Sequence, residues 1–351
     1  MRRVSGVFDT SYKKDMAIFR TKYYIMSMVA LVLFFLSVPL FGSEFIIAFI
    51  STMAITVITL QGLNILTGYC GQISIGHTAF MAVGAYTSTI LASQFGLPFW
   101  LCMPIGGIGA GLIGILFGLP ALRVRGYYLA MATIAAQYII MYVIRTPFPE
   151  ITGGAVALNV PEFKLFGLTL QTETHFYYFI MIMLIIMTFF AKSLMRSHVG
   201  RQFVAIRDND IASEAMGINL YRGKLLAFFI GCFYAGMAGS LWAAYMRVIS
   251  PDDFTLTTSI WQMGMVIIGG LGSTLGPFFG AIFIGVLREA CTMFAPWIST
   301  LLPQIGAQIS ASLTEMTFGI VIVLFLVFEP RGVSHRWEIL KDSYRLWPFS
   351  Y

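Results

Sequence analysis

Charge is what this sequence has least of. Only 11% of its 351 residues are Asp, Glu, Lys or Arg, against 58% apolar residues and a mean hydropathy of +0.81. A soluble domain carries about a quarter charged residues, so this chain is built for another solvent. Cysteine is scarce too. Cys70, Cys102, Cys232 and Cys291 lie far apart and form no C-x-x-C pair, which argues against a zinc site or a disulfide framework and predicts buried, inert thiols. No G-x-x-x-x-G-K-S/T loop occurs, so the chain does not itself bind ATP in that manner. There is no H-E-x-x-H, no G-x-S-x-G and no convergent cluster of acids, bases or metal ligands, so no catalytic residues, metal or cofactor are expected, and an embedded enzyme has no anchor. Only Arg288, Glu289 and Glu315 are ionisable within the apolar runs. Proton-coupled carriers mark their paths with titratable groups, so this scarcity argues against one. Sodium coupling through carbonyls at broken helices stays open.

What the sequence does have is long apolar runs. A helix needs roughly 20 apolar residues to cross the hydrocarbon core. Candidate spans are 25–42, 46–66, 79–95, 99–122, 128–145, 176–194, 225–245, 259–296 and 313–329. The stretch 259–296 is too long for one span and is interrupted by glycines at 269–276, so it is read as two. The expected fold is an all-α polytopic membrane protein of about ten helices. The net charge of +6 could suggest nucleic acid, but the basic residues sit between the spans. Residues 1–24, 123–127, 192–224 and 330–351 hold 18 of the 22 Lys and Arg. An even number of crossings puts all four on one face, the cytoplasm by the positive-inside rule. The partner is therefore membrane lipid and not nucleic acid. The expected organisation is a cytoplasmic segment 1–24, a transmembrane domain 25–329 and a cytoplasmic tail 330–351. Within the domain, 195–223 is a cytoplasmic loop and 146–175 an external one. Residues 1–24 do not read as a cleavable signal. Small residues at four-residue spacing (Gly107 and Gly111; Ala110, Gly114 and Gly118; Gly231, Ala235 and Gly239) predict close helix packing.

Two stretches stand out. The first, Gly62 to His77, holds several glycines and polar side chains between two spans, with no Lys or Arg. It reads either as a tight interhelical turn or as a segment dipping into the bilayer beside a pathway. Irregular backbone is tolerated at that depth only where protein or a cavity covers it. Residues 269–277 make a second break with similar glycine spacing, which raises the possibility of an internal repeat. Candidate pathway residues across the two breaks are Asn64, Gln72, Ser74, His77 and Ser273. For His77, a hydrogen-bonded structural role is favoured over proton chemistry. The second stretch is Arg201–Leu220. Asp208, Asn209 or Asp210 can cap a short helix and Gly217 can end it. Ile211, Ala212, Ala215 and Met216 form an apolar stripe beside Asp210 and Glu214, which suits a knob for a partner groove. The alternative is a helix lying on the membrane surface, less suited to acidic side chains facing anionic lipid.

At this point a resemblance adds to the residue pattern. GLNILTGYCGQISIGHTAFMAVGAY, then RDNDIASEAMGINLYRGKLLAFFIGCFYAGMAGSLWA, SPDDF and GGLGSTLGPFFGA resemble, in order, the permeases of branched-chain amino-acid ABC importers. The resemblance runs from about residue 20 to 335 and is to the longer of the two permease partners. It implies the ten-helix importer fold and a bacterial inner-membrane location. It further implies a second homologous permease subunit, two cytoplasmic ATP-binding subunits and a periplasmic substrate-binding protein. Ile211, Ala212, Glu214, Ala215, Met216 and Gly217 would form the helix that couples to the ATPase. Relatives in the wider family carry urea or short amides, while Gly71-Gln72 with His77 resembles the amino-acid branch. An uncoupled secondary carrier or channel is the rival from another class.

Overall fold

The apolar runs fold as helices because a chain in lipid must satisfy its backbone hydrogen bonds within each segment. The computed structural model describes residues 26, 34–119, 127–147, 149–154, 156–161, 163–165, 168–169, 172–301 and 306–346. The segment 1–24, residues 25 and 27–33 of the span expected at 25–42 (whose residues 34–41 are helical), the basic loop with Arg123 and Arg125, and the end of the C-terminal tail lie outside the described residues. In chain order the helices are α1 (Glu44–Leu63), α2 (His77–Gln94), α3 (Phe99–Gly118), α4 (Tyr127–Arg145), α5 (Pro149–Thr152) and α6 (Glu173–Arg196). There follow α7 (His198–Asp208), α8 (Asp210–Ala215), α9 (Leu220–Met246), α10 (Leu256–Gly269), α11 (Gly276–Leu301), α12 (Gly306–Phe328) and α13 (Val333–Leu346). A π-helical turn, Asn64–Tyr69, continues α1.

Among the described residues, six helices are long and apolar enough to cross a membrane, and a seventh is reached if Thr314–Phe328 and Val333–Lys341, bent by 45°, form one span. The chain is a multi-pass membrane protein. α10, with 14 residues, is about 21 Å long at 1.5 Å per residue, short of a hydrocarbon core of about 30 Å. The division of 259–296 at its glycines is present, as α10 and α11.

The core is built around α9, which packs against α1, α2 and α3. Its stripe of glycine and alanine is what permits this. Helix association in lipid rests on close packing, since there is no water to exclude. At Gly236 an added Cβ would come within 2.6 Å of the Ala110 Cβ and 2.9 Å of the Gly107 Cα. The α3 stripe meets the same helix, with Gly111 against Phe229, Gly114 against Cys232 and Gly118 against Phe228. The outward faces carry exposed Leu112, Leu116, Ile186, Phe190, Val323 and Val327, apolar surface suited to lipid tails. All four cysteines are free and buried.

Two short ladders mark the connections. β1 (Leu158–Asn159) pairs antiparallel with β4 (Val248–Ile249), and β2 (Lys164–Leu165) with β3 (Leu168–Thr169). The first ties the 146–175 loop to the segment after α9. The Arg145–Asp252 ion pair, at 2.5 Å, fastens α4 to the same segment.

Candidate functional site: joined helix breaks and an exposed short helix

The two glycine-rich breaks, 209 residues apart in sequence, touch. Asn64 opens the π-helical turn, and its amide spans the gap. Nδ2 donates to the Ser273 carbonyl at 2.7 Å, and Oδ1 accepts from the Gly272 N–H at 2.8 Å. An asparagine suits this place because its amide offers a donor and an acceptor side by side. The Ser273 hydroxyl accepts from the Gly276 N–H at 2.8 Å and so caps the start of α11. Asn64 and Ser273 are thus engaged with structure.

Beyond the π-helical turn the chain runs without helix from Gly71 to Gly76, with Gly71 exposed and Gln72, Ser74 and Gly76 buried. The Thr67 hydroxyl donates to the Gln72 carbonyl, and the Ile75 N–H to the Thr133 hydroxyl, both at 3.0 Å. Gln72 is buried. Ser74 Oγ and both ring nitrogens of His77 are buried and make no geometric hydrogen bond among the described residues. A polar group left unpaired in an apolar interior costs about 1–3 kcal/mol.

Next to His77 lies a network the sequence reading missed. Thr78 Oγ1 and Ser259 Oγ are 2.5 Å apart; Gln137 Oε1 accepts from the Ala79 N–H at 2.9 Å and its Nε2 donates to the Phe254 carbonyl at 2.7 Å. These side chains join α2, α4 and α10 just where α2 begins. Gln262 reaches the same region through Met81, with its Oε1 unpaired. The available signal was a lone glutamine within an apolar run, at Gln137 and again at Gln262.

The exposed helix is α8. Asn209 caps it, its side-chain oxygen accepting from the Ala212 N–H at 3.0 Å. Gly217 ends it at φ +83°, where the Gly217 N–H donates to the Glu214 carbonyl and the Ile218 N–H to the Ser213 carbonyl. That is a Schellman ending, which wants a left-handed residue at this position. Only Ser213 is buried; Ile211, Ala212, Glu214, Ala215, Met216 and Gly217 all face outward, with Ile211 72% and Met216 83% exposed. Lys224 of α9, itself buried, holds Asp210 at 2.9 Å and fixes the root of the helix.

The family model described as branched-chain amino acid transport system / permease component matches residues 45–326. The chain belongs to this family of permeases. LivM of Salmonella typhimurium, the permease protein of a high-affinity branched-chain amino acid transport system, is 31% identical to it over 309 residues, 81% of this chain and 69% of the relative. LivM of Escherichia coli is 30% identical over 330 residues, 87% of this chain and 74% of the relative. The permease protein LivH of Salmonella typhimurium is more distant, 25% identical over 80% of this chain and 91% of its own length. No solved structure matches the chain. As a LivM-type permease, the chain combines in its matched region both joined breaks and the exposed α8.

Proposed function

We propose that this chain is the membrane-spanning permease subunit of an ATP-driven importer of branched-chain amino acids, with α8 as the element that docks on separate ATP-binding subunits. The observation that carries the docking is a six-residue helix, capped at both ends and anchored by Lys224, that leaves Ile211 and Met216 bare. A rigid apolar knob standing free is suited to a partner's groove. The partners are two ATP-binding subunits, a second permease related to this one, and a periplasmic binding protein that supplies most of the selectivity.

In this reading ten helices cross the inner membrane and both termini are cytoplasmic. The count includes α2, α10, α12 and the span expected at 25–42. Residues 25–329 form the transmembrane domain, 195–223 the cytoplasmic coupling loop and 146–175 an external loop; 1–24 and 330–351 flank them in the cytoplasm. ATP binding draws the partner subunits together, moves α8, and tilts the helices between inward-open and outward-open states. A zwitterionic substrate needs hydrogen bonds more than fixed charge, and half-helix ends and open backbone can supply them. Gln72, Ser74 and His77 border the path, while Asn64 and Ser273 fasten the breaks beside it.

The test is co-purification. Expressed with its candidate ATP-binding subunits, the tagged chain should retain them in detergent, and Ala215→Asp should release them while the permease still inserts. Retention of the subunits by Ala215→Asp at the parental level would remove α8 from the docking surface. Leucine uptake by the chain alone in vesicles, without ATP, would favour an uncoupled carrier.

A further inference from the structure

α7, which leads directly into α8, reaches both breaks through Arg207. Arg207 sits at the end of α7, two residues before the Asn209 cap, and its Nη1 donates to the Gly68 carbonyl at 3.0 Å. Gly68 closes the last turn opened by Asn64, and its carbonyl is one of the acceptors that a helix end leaves open. The same nitrogen lies beside Gly272, where an added Cβ would come within 2.8 Å of it. Gly71 packs on the stem of Arg207, its missing Cβ 3.0 Å from Cγ. One guanidinium therefore meets both breaks, on either side of the Asn64 amide that joins them. Its other edge is held by Asp208 at 2.9 Å, which ties its position to the α7–α8 junction.

We propose that Arg207 is the positioning residue that transmits movement of α8 to the clasp between the two breaks; this rests on α8 being the docking element. A charge-assisted hydrogen bond to a carbonyl is stronger than a neutral one and is directional. Displacement of the α7–α8 junction draws the guanidinium from the Gly68 carbonyl. The Gly68 carbonyl of the π-helical turn then loses its external donor, and the Asn64 bonds to Gly272 and Ser273 carry the load alone. The irregular segment Gln72–Gly76, which holds Ser74 and leads into His77, begins four residues further on.

The experiment uses the complex with its ATP-binding subunits and binding protein in proteoliposomes, with radiolabelled leucine as probe. Arg207→Ala should leave co-purification and ATP hydrolysis within about twofold of the parent, while leucine imported per ATP hydrolysed falls about tenfold. Arg207→Lys, which keeps one donor, should recover part of that ratio. An unchanged ratio, or loss of the ATP-binding subunits from Arg207→Ala, overturns the proposal. Failure of the docking reading is scored separately, by Ala215→Asp retaining those subunits. The link is also readable without partners. Arg207→Ala in the detergent-solubilised chain should quicken amide exchange over residues 66–77 and spare α9, and unchanged exchange there overturns the proposal whatever transport shows.

Discussion

At the scale of single residues, side chains that bridge distant segments matter more than those that fill space. Asn64 is 2% exposed and makes both of its bonds to the second break. Asn64→Ala strands the Gly272 N–H and the Ser273 carbonyl, at a cost of about 1–3 kcal/mol each where water cannot replace the amide. The solubilised chain should melt a few degrees lower, on the order expected for that loss, as read by a thermal-shift assay; an unchanged melting temperature would mean that the breaks are held by packing alone. The sequence marked Asn64 and Ser273 as polar groups near a break, yet their pairing was not legible. Nothing local brings residue 64 to residue 273; only the packed bundle does. Gln137 was missed for the same reason, since its partners Ala79 and Phe254 come from α2 and the segment before α10.

At the scale of elements, local chemistry carried further. The Asn209 cap and the Gly217 ending of α8 were readable because both depend on backbone groups within four residues. Gly217→Val places a β-branched side chain at φ +83°, costing about 1–2 kcal/mol, so the last turn of α8 should fray. Limited proteolysis should then cut within 210–220 several times faster, and a parental cleavage rate would show that the ending is not needed. The glycine stripes of α3 and α9 were equally legible from spacing. The helix α7, the π-helical turn and the β1–β4 ladder were not. Each is set by what it packs on, and a two-residue strand leaves no periodicity to read. At the α2–α9 crossing, a Cβ on Gly84 would collide with the Gly236 backbone. Gly84→Val should therefore lower the yield of folded, monodisperse protein severely, since overpacking costs about 1–3 kcal/mol even where neighbours can shift. Size-exclusion chromatography reads this, and a parental profile would mean that the two helices can part.

At the scale of the whole molecule, the proposed orientation of the bundle rests on the unequal spread of basic residues. Val156 in the 146–175 loop and Met216 after α8 are both exposed, and the proposed topology puts them on opposite sides of the membrane. In a chain whose four buried cysteines are replaced, an impermeant maleimide added to intact cells should label Val156→Cys and spare Met216→Cys. Labelling of Met216→Cys would invert or break the topology. The long spans were legible because hydropathy over about 20 residues is decided by the solvent and not by neighbours. α2 and α10 were harder, as α2 carries threonines and serines that pair inside the bundle and α10 has only 14 residues. The central claim is a permease driven by ATP through α8, and leucine uptake into proteoliposomes carrying the full complex tests it most directly. ATP supplied to the side bearing the ATP-binding subunits should drive accumulation against a gradient, and Ala215→Asp should abolish it. Accumulation that persists without ATP, or in Ala215→Asp at the parental rate, would contradict the account.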